Sequence, residues 1–263
     1  MSQKETLTSR QNPLVKKFRS LQRRKERTNT GLFLVEGIHH VGAAVEAGWN
    51  VGNIIYAPDL LTSDYARDLI LASVKKGISC QPASPDIFRS LTEKENPQGI
   101  LASVHQRNLA LSDIEDFKSG VAIVAPQDPG NLGTILRTLD AVGTDNLFLL
   151  DGGVDLYHPK VVRSSMAAIF WKPVIQASFD DFFSWKEERA YKLIGTSARG
   201  EMNIDALNLK NKKWILLLGS EQKGLSAEQI SACDILVSLP MRGRGTSLNL
   251  AVAAGVLLYG LME

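Results

Sequence analysis

Cysteine is scarce in this sequence, and long apolar runs are missing from it. Cys80 and Cys233 stand alone, and neither they nor the four histidines have the spacing of metal ligands, so no metal is predicted. Isolated cysteines favour a reducing, cytoplasmic compartment. No run approaches the roughly 18 apolar residues of a membrane span, and the first residues lack the apolar core of a signal peptide. We therefore expect a protein that acts away from membranes.

Acidic residues are nearly absent from the first 30 positions, which hold nine lysines and arginines against two glutamates. Helical spacing relates three apolar residues of this segment, Leu14, Phe18 and Leu21. A helix here can therefore pack its apolar face against the rest of the protein while its basic side chains project into solvent. The plain alternative is a solvated helix face. Because the cluster is so concentrated, contact with nucleic-acid phosphates is favoured. The predicted RNA-binding residues are Lys16, Lys17, Arg23 and Arg24.

The remaining composition is that of a soluble globular protein. Of its 263 residues, 44% are hydrophobic and 22% charged, enough for one large or two medium domains. Residues 1–106 alternate short apolar runs with helical patterns, which predicts a small α/β domain. Residues 107–119 are polar and acidic, which indicates a linker. Residues 120–263 form a second α/β domain, whose continuous apolar runs are typical of parallel strands.

Two apolar runs near the end of the chain are each followed by a glycine-bearing loop. Trp214–Leu218 and Ile235–Leu239 are predicted to be strands buried on both faces. Open α/β sheets bind ligands beyond the carboxyl ends of their strands, so the two loops are the predicted site. Ser247 is the expected N-cap of the final helix, which would place Asn249 inside that helix.

Neither of two familiar phosphate-binding loops fits these residues. The segment Gly243–Leu248 begins like a dinucleotide fingerprint, but Leu248 replaces the third glycine. The loop from Gly219 to Gly224 has two glycines, but Leu225 occupies the position of the P-loop lysine. Both nucleotide-binding interpretations are therefore excluded.

Three segments of the second half carry a recognisable pattern. They are Asp128–Thr138 (DPGNLGTILRT), Leu217–Ser226 (LLGSEQKGLS), and Leu239–Gly243 (LPMRG) with Ser247–Asn249 (SLN). In this order they resemble the motifs of SpoU-type RNA methyltransferases, which belong to the SPOUT class. The resemblance implies methyl transfer from S-adenosylmethionine to a ribose 2′-hydroxyl of RNA. It also implies a trefoil knot and a homodimer, for which the apolar final helix is the predicted interface.

The front of the chain is similar to a second part of such enzymes. Phe33–Gly37 (FLVEG), behind a helix rich in lysine and arginine, resembles their RNA substrate-binding domain. The implied fold is α/β: a C-terminal SPOUT-type knotted parallel-sheet methyltransferase domain and a smaller N-terminal α/β RNA-binding domain. The basic front domain favours a large structured RNA, hence ribosomal RNA, with transfer RNA as the alternative.

The resemblance assigns cofactor binding to positions at strand ends and at the start of the final helix. Glycine-bearing loops of this kind let the main chain approach the adenine and ribose of a cofactor closely. Without the motifs, Leu239 and Leu248 would be interpreted as core leucines. The cofactor-binding residues implied are Thr196, Gly219, Leu239, Met241 and Leu248.

The same resemblance implies five catalytic residues: Arg137, Asn131, Glu221, Asn249 and Ser247. A guanidinium stays protonated, so Arg137 is suited to orienting a phosphate or stabilising negative charge on the 2′-oxygen, and is a poor general base. Asn131 lies six residues earlier at a predicted helix start, and Glu221 could brace either residue. Ser247 is explained equally well as a helix cap.

A further segment resembles a substrate-proximal part of the family. Arg163 lies there, in a helix predicted from His158 to Ile169, and is an expected RNA contact. Ala167 stands where the family commonly has glycine.

Two rival functions compete with ribose methylation: a non-catalytic RNA-binding or assembly protein on the same fold, and a methyltransferase that acts on a base. The retained set of Asn131, Arg137, Glu221 and Asn249 argues against both.

Overall fold

The chain forms two compact units. Its structure, a computed structural model, describes residues 5–197, 202–203, 207, 209 and 212–262. The first unit comprises Met1–Arg107 and Tyr157–Phe170, and the second comprises Asn108–Leu156 and Trp171–Glu263. Residues 157–170 therefore pack with the first unit, although the sequence places them inside the second domain.

Most predicted elements are present within a few residues of their expected bounds. The strands are β1 (Leu32–Glu36), β2 (Val51–Tyr56), β3 (Ser79–Pro82), β4 (Ile100–His105), β5 (Ser119–Val124), β6 (Asn146–Leu150), β7 (Val174–Ala177), β8 (Lys192–Thr196), β9 (Met202–Asn203), β10 (Trp214–Leu218) and β11 (Ile235–Ser238). The α-helices are α1 (Pro13–Ser20), α2 (Arg24–Thr30), α3 (Ile38–Glu46), α4 (Asp64–Lys75), α5 (Pro85–Arg89), α6 (Pro129–Val142), α7 (Pro159–Ser164), α8 (Phe179–Glu188), α9 (Ala227–Ser231) and α10 (Leu250–Met262).

The first unit is built on a mixed sheet of four described strands in the order β1-β4-β2-β3. β4 runs antiparallel to β1 and β2, whereas β2 and β3 are parallel. Local capping fixes the helix starts as the sequence predicts: the Ser63 hydroxyl accepts a hydrogen bond from the Ala66 N–H at the start of α4.

The basic front segment forms two short helices, so the expected single helix is wrong. α1 ends at Ser20 and α2 begins at Arg24. Phe18 and Leu21 are fully buried, as the apolar stripe predicts. Arg27 is also buried and donates to the carbonyl oxygens of Leu21 and Gln22, at 2.9 and 2.7 Å. Arg27 thus binds the carbonyl groups of the residues that follow α1, because a buried guanidinium needs hydrogen-bond acceptors.

The segment 157–170 corrects a second expectation. The helix predicted from His158 to Ile169 stops at Ser164, because Met166 and Ala167 have positive φ angles of 49° and 74°. A 3-10 turn, Ala168–Phe170, follows. Tyr157 and Phe170 complete an aromatic cluster with Phe33 and Trp49, in which ring centroids lie 4.5 to 6.5 Å apart.

The second unit is built on a parallel sheet whose seven described strands have the order β7-β6-β5-β10-β8-β11-β9. Every residue of β5, β6 and β10 is buried, which explains why these strands are unbroken apolar runs. β10 lies between β5 and β8 and runs parallel to both. The carboxyl ends of β8, β10 and β11 therefore lie at the same edge of the sheet.

Residues 108–119, expected to be a linker, are part of this second unit. Leu109 forms a bridge with Ile175 beside β7, and Ile114 is buried in the core. Phe117 stacks on Tyr191 with ring centroids 4.4 Å apart. The segment is polar overall, and its apolar residues recur at no regular interval. The sequence pattern therefore does not predict that they are buried.

No helix among the described residues is long and apolar enough to cross a membrane. Within the same residues, no group of three or more His, Cys, Asp or Glu side chains could hold a metal ion.

Candidate active site

A cavity of about 680 Å³ opens where β8, β10 and β11 end. This volume falls within the range that small-molecule and cofactor sites occupy in proteins. Its position follows the rule that open parallel sheets bind ligands beyond the carboxyl ends of their strands. All five residues to which the resemblance assigns the cofactor lie in its wall: Thr196, Gly219, Leu239, Met241 and Leu248.

The loop after β10 folds back tightly on itself. Ser220 and Gly224 form an antiparallel bridge, and the Gly224 N–H donates to the Ser220 carbonyl oxygen at 2.9 Å. A Cβ atom at Gly219 would lie 2.2 Å from the Gly224 carbonyl carbon and 2.4 Å from the Leu225 nitrogen. Glycine at 219 is therefore required by the closure of the loop, whatever the cavity holds.

The opposite wall comes from the chain after β11. Met241 and Leu248 are each 42% exposed although both are apolar and line the cavity. The core-leucine alternative therefore does not describe Leu248. An apolar wall with backbone groups at strand ends has the composition of a site for a nucleoside-like ligand.

A chain of hydrogen bonds joins three separate segments beside the cavity. The Glu221 carboxylate accepts from the backbone N–H groups of Gln127 and Asp128, at 3.1 and 3.3 Å, and from Asn131 Nδ2 at 3.1 Å. Asn131 Oδ1 in turn accepts from Asn249 Nδ2 at 2.9 Å. Both amides are thereby fixed in orientation, since each oxygen and nitrogen has a distinct partner.

Burial favours the neutral form of Glu221, but hydrogen bonds from Asn131, from its own backbone and from Gln127 and Asp128 lower its pKa below the ordinary value. The carboxylate is therefore ionised at neutral pH and only accepts hydrogen bonds. Because its oxygens already accept these hydrogen bonds, Glu221 is suited to bracing Asn131, one of the two residues that the sequence predicts it to brace.

Asn249 corrects the expected start of the final helix. α10 begins at Leu250, and Asn249 Oδ1 accepts from the N–H groups of Ala251 and Val252, at 2.9 and 3.3 Å. Asn249 is therefore the N-cap, and the prediction that Ser247 caps a helix containing Asn249 is wrong. Ser247 lies in the cavity wall instead.

Arg137 is exposed on α6, whereas Ile135, Leu136 and Leu139 of the same helix are buried. Its guanidinium forms no hydrogen bond or ion pair with any residue that the structure describes. Asn131 is at the start of the same helix, where the Asp128 carboxylate caps its N–H at 2.8 Å. Arg137 is thus a cation without a partner among the described residues, on the helix that carries Asn131, the central member of the hydrogen-bond chain.

The predicted RNA-binding residues lie in the first unit. Lys16, Lys17, Arg23 and Arg24 are exposed. Arg163, at the end of α7, is exposed as well and belongs to this unit rather than to the second. Sequence reasoning did not find His40, which is buried against the Arg163 carbonyl oxygen, because a lone histidine carries no pattern.

Residues 118–259 match the SpoU rRNA Methylase family, and residues 12–102 match the MRM3-like substrate binding domain. The chain is 33% identical over 255 residues to the 23S rRNA (guanosine(2553)-2′-O)-methyltransferase RlmP of Bacillus subtilis, covering 97% of this chain and 98% of that protein. It is 35% identical to the 23S rRNA (uridine(2479)-2′-O)-methyltransferase of Streptomyces viridochromogenes, covering 91% and 85%. The AdoMet-bound rRNA methyltransferase structure from Sinorhizobium meliloti superposes with a TM-score of 0.88 at 32% identity, covering 98% and 97%.

Proposed function

The chain belongs to the SpoU rRNA methylase family, and we propose that it transfers the methyl group of S-adenosylmethionine to a ribose 2′-hydroxyl of ribosomal RNA. The observation that carries this proposal is the 680 Å³ cavity, because its wall brings together two of the three motif segments of the sequence. Glu221 and Asn249 of that wall are hydrogen-bonded to Asn131 of the third segment. Ribosomal RNA is favoured because the curated relatives described above act on 23S rRNA.

Bound S-adenosylmethionine supplies an electrophilic methyl group on a sulfonium centre. Backbone groups around Gly219, Leu239 and Leu248 would bind its nucleoside part, and the apolar side chains of Met241 and Leu248 would exclude water from it. Thr196, whose hydroxyl donates to the Leu217 carbonyl oxygen at 3.3 Å, closes the wall between β8 and β10.

The ribose hydroxyl must be aimed in line with the sulfonium and stabilised as it loses its proton. The free guanidinium of Arg137 would stabilise negative charge on the 2′-oxygen or hold the adjacent phosphate. Asn131, Glu221 and Asn249 would fix the start of α6, and hence the position of Arg137, relative to the cavity. Ser247 would contact the reacting groups from the cavity wall.

We propose that residues 1–106 recognise the RNA and that residues 120–263 carry out methyl transfer. The exposed cations Lys16, Lys17, Arg23 and Arg24 support the first role, because phosphate contacts dominate RNA affinity. We further propose a cytoplasmic location, which a ribosomal RNA substrate supports, as do Cys80 and Cys233, two cysteines that form no disulfide within the described residues.

A homodimer is proposed on the exposed side of α10. Val252, Val256 and Tyr259 are all exposed there, although they are large and apolar. Together with α6 they form a groove of about 630 Å³, which Asn131 and Asn249 also line. A second copy covering this groove would bury the apolar face and enclose the hydrogen-bond chain of the site.

A trefoil knot in the second unit is likewise a proposal. It is supported by the strand order, in which β10 lies between the earlier strands β5 and β8, and by the packing of α10 on α6. A chain that enters between earlier strands and returns to an earlier helix has the connectivity that such a knot requires.

The test of function is methyl transfer by the purified protein to deproteinised ribosomal RNA and, separately, to transfer RNA. Ribose methylation protects the following phosphodiester from alkaline hydrolysis, so the product can be mapped to one nucleotide. We expect one protected ribose in ribosomal RNA, and Arg137→Ala should bind S-adenosylmethionine normally while losing transfer. Methylation of a base, or of transfer RNA alone, would contradict the proposal.

A further inference from the structure

Two neighbouring residues without the freedom of glycine adopt left-handed backbone conformations in the first unit. Met166 has φ 49° and Ala167 has φ 74°. Such a conformation is unfavourable for a residue with a Cβ atom, and strain of this kind persists only where the surroundings over-determine the backbone. The strained turn directly follows α7, whose last turn carries Arg163.

Three ring N–H groups of the first unit hold this segment from one side. His40 Nε2 donates to the Arg163 carbonyl oxygen at 3.3 Å, and His39 Nε2 donates to the Met166 carbonyl oxygen at 3.4 Å. Trp49 Nε1 donates to the Phe170 carbonyl oxygen at 3.0 Å. The Arg163 carbonyl oxygen also accepts from the Met166 N–H at 3.3 Å, so His40 supplies a second, external donor to the end of α7.

His40 is suited to this role because it stays neutral. Only 7% of the residue is exposed, and burial is the main cause that lowers its pKa from 6.5 to about 4. The cations of Lys94 and Arg163 and the neighbouring His39 act in the same direction. The ring therefore donates one N–H to the carbonyl at neutral pH without repelling the cations around it.

The Arg163 backbone is thus anchored while its side chain stays available. The guanidinium is exposed and bonds to no other residue within the described part of the chain. It borders a small cleft that Lys94, Glu36 and Glu93 also line. Lys94 Nζ lies 3.8 Å from the Glu36 carboxylate, whereas the Arg163 guanidinium has no such partner among the described residues. An exposed guanidinium whose backbone is anchored suits an RNA phosphate.

We propose that His40 is a positioning residue for RNA, which fixes the backbone of Arg163 so that its guanidinium meets the RNA backbone. This inference rests on the proposed RNA-binding function of the first unit. It predicts that His40 affects RNA binding only through Arg163, and that the cofactor site is indifferent to it.

The test compares His40→Leu, which removes the donor, with His40→Gln, which keeps an N–H at a similar reach. For His40→Leu we expect the Kd and KM for ribosomal RNA to rise about tenfold, equivalent to ~1.4 kcal/mol, with kcat and S-adenosylmethionine affinity unchanged. His40→Gln should restore most of the RNA affinity. In an Arg163→Ala background, His40→Leu should cause no further loss.

Trp49→Phe, which keeps one aromatic ring in the cluster and removes the donor to Phe170, gives a second variant should His40→Leu fail to fold. It should also raise the RNA Kd without changing cofactor affinity. The inference is wrong if His40→Leu or Trp49→Phe leaves RNA affinity intact while Arg163→Ala weakens it. It is equally wrong if the effects of His40→Leu and Arg163→Ala add. Failure of the proposed function would look different, because the wild-type protein would then not methylate ribosomal RNA.

Discussion

Asn249 lies 118 residues after Asn131 in the chain, yet its Nδ2 donates a 2.9 Å hydrogen bond to Asn131 Oδ1. Its own Oδ1 caps α10, and Asn131 Nδ2 donates to Glu221. One asparagine therefore combines two tasks: it caps α10, and it orients the amide of Asn131. The two tasks can be separated by mutation.

Asn249→Ser keeps a side-chain oxygen that can cap α10 but loses the amide donor to Asn131. We expect its melting temperature to stay close to that of the wild type, with kcat for methyl transfer lowered about tenfold, or ~1.4 kcal/mol. Asn249→Ala should lose the same activity and also about 1 kcal/mol of stability, because the cap is gone. Thermal unfolding and single-turnover kinetics on both variants check this. Full activity of Asn249→Ser would show that the amide contact is only structural.

Replacing Lys16, Lys17, Arg23 and Arg24 together by alanine should reduce the salt dependence of RNA binding. Each lost phosphate contact removes up to about 0.9 from the magnitude of the slope of log K against log salt on duplex RNA, and about 0.7 on single strands. Cofactor affinity should not change. The control is Arg67→Ala with Lys75→Ala, which removes exposed cations from α4 of the same unit. An unaltered slope in the quadruple variant would mean that the basic face is merely solvated.

The sequence predicts local features well where one short-range rule decides them. The buried strand Trp214–Leu218 has the predicted bounds, because its unbroken apolar run ends at a turn residue. The location of the cavity follows from the same strand ends. The predicted start of α10 is wrong because Ser247 and Asn249 are both good N-caps. Only the contact between Asn249 and Asn131 decides between them.

Long-range packing explains the other differences. Residues 157–170 have helical spacing, but nothing in that spacing reveals that Tyr157 and Phe170 pack against Phe33 and Trp49. Arg27 looks like its exposed basic neighbours and is buried only because Leu21 and Gln22 present carbonyl oxygens to it. Such partners become neighbours only in the folded chain, so single-sequence patterns do not predict them.

A fragment of residues 1–107 should fold incompletely, because it lacks the part of its aromatic cluster that Tyr157 and Phe170 provide. Trp49 is the only tryptophan in that fragment, so its fluorescence reports on the cluster directly. We expect emission shifted to longer wavelength than that of a buried indole, and a shift back when a peptide of residues 157–170 is added. A Trp49→Phe fragment is the control for peptide fluorescence. Buried-type emission from the fragment alone would contradict this expectation.

Acid should destabilise the protein through His40. Its pKa of about 4 in the folded state lies below 6.5, so between these values the unfolded chain binds a proton that the folded protein excludes. The contribution of His40 to the free energy of unfolding is fully present above pH 6.5. It decreases as the pH falls, by about 2 kcal/mol between pH 7 and pH 5. Urea unfolding of the wild type and His40→Gln at both pH values measures it. The variant should lose about 2 kcal/mol less over that interval, and equal losses would contradict the assignment to His40.

The proposed dimer makes Val256 and Leu257 behave differently although they are neighbours. Leu257 is buried against its own unit, whereas Val256 is 49% exposed on the face that a second copy would cover. Val256→Glu should therefore give a folded monomer, with methyl transfer lowered about tenfold or more and RNA binding affected less. Leu71→Glu is the matched control, because Leu71 is also 49% exposed but lies on α4, and it should leave the assembly unchanged. Sedimentation velocity at micromolar concentration checks both variants, and a wild-type protein that is monomeric and fully active there would disprove the dimer.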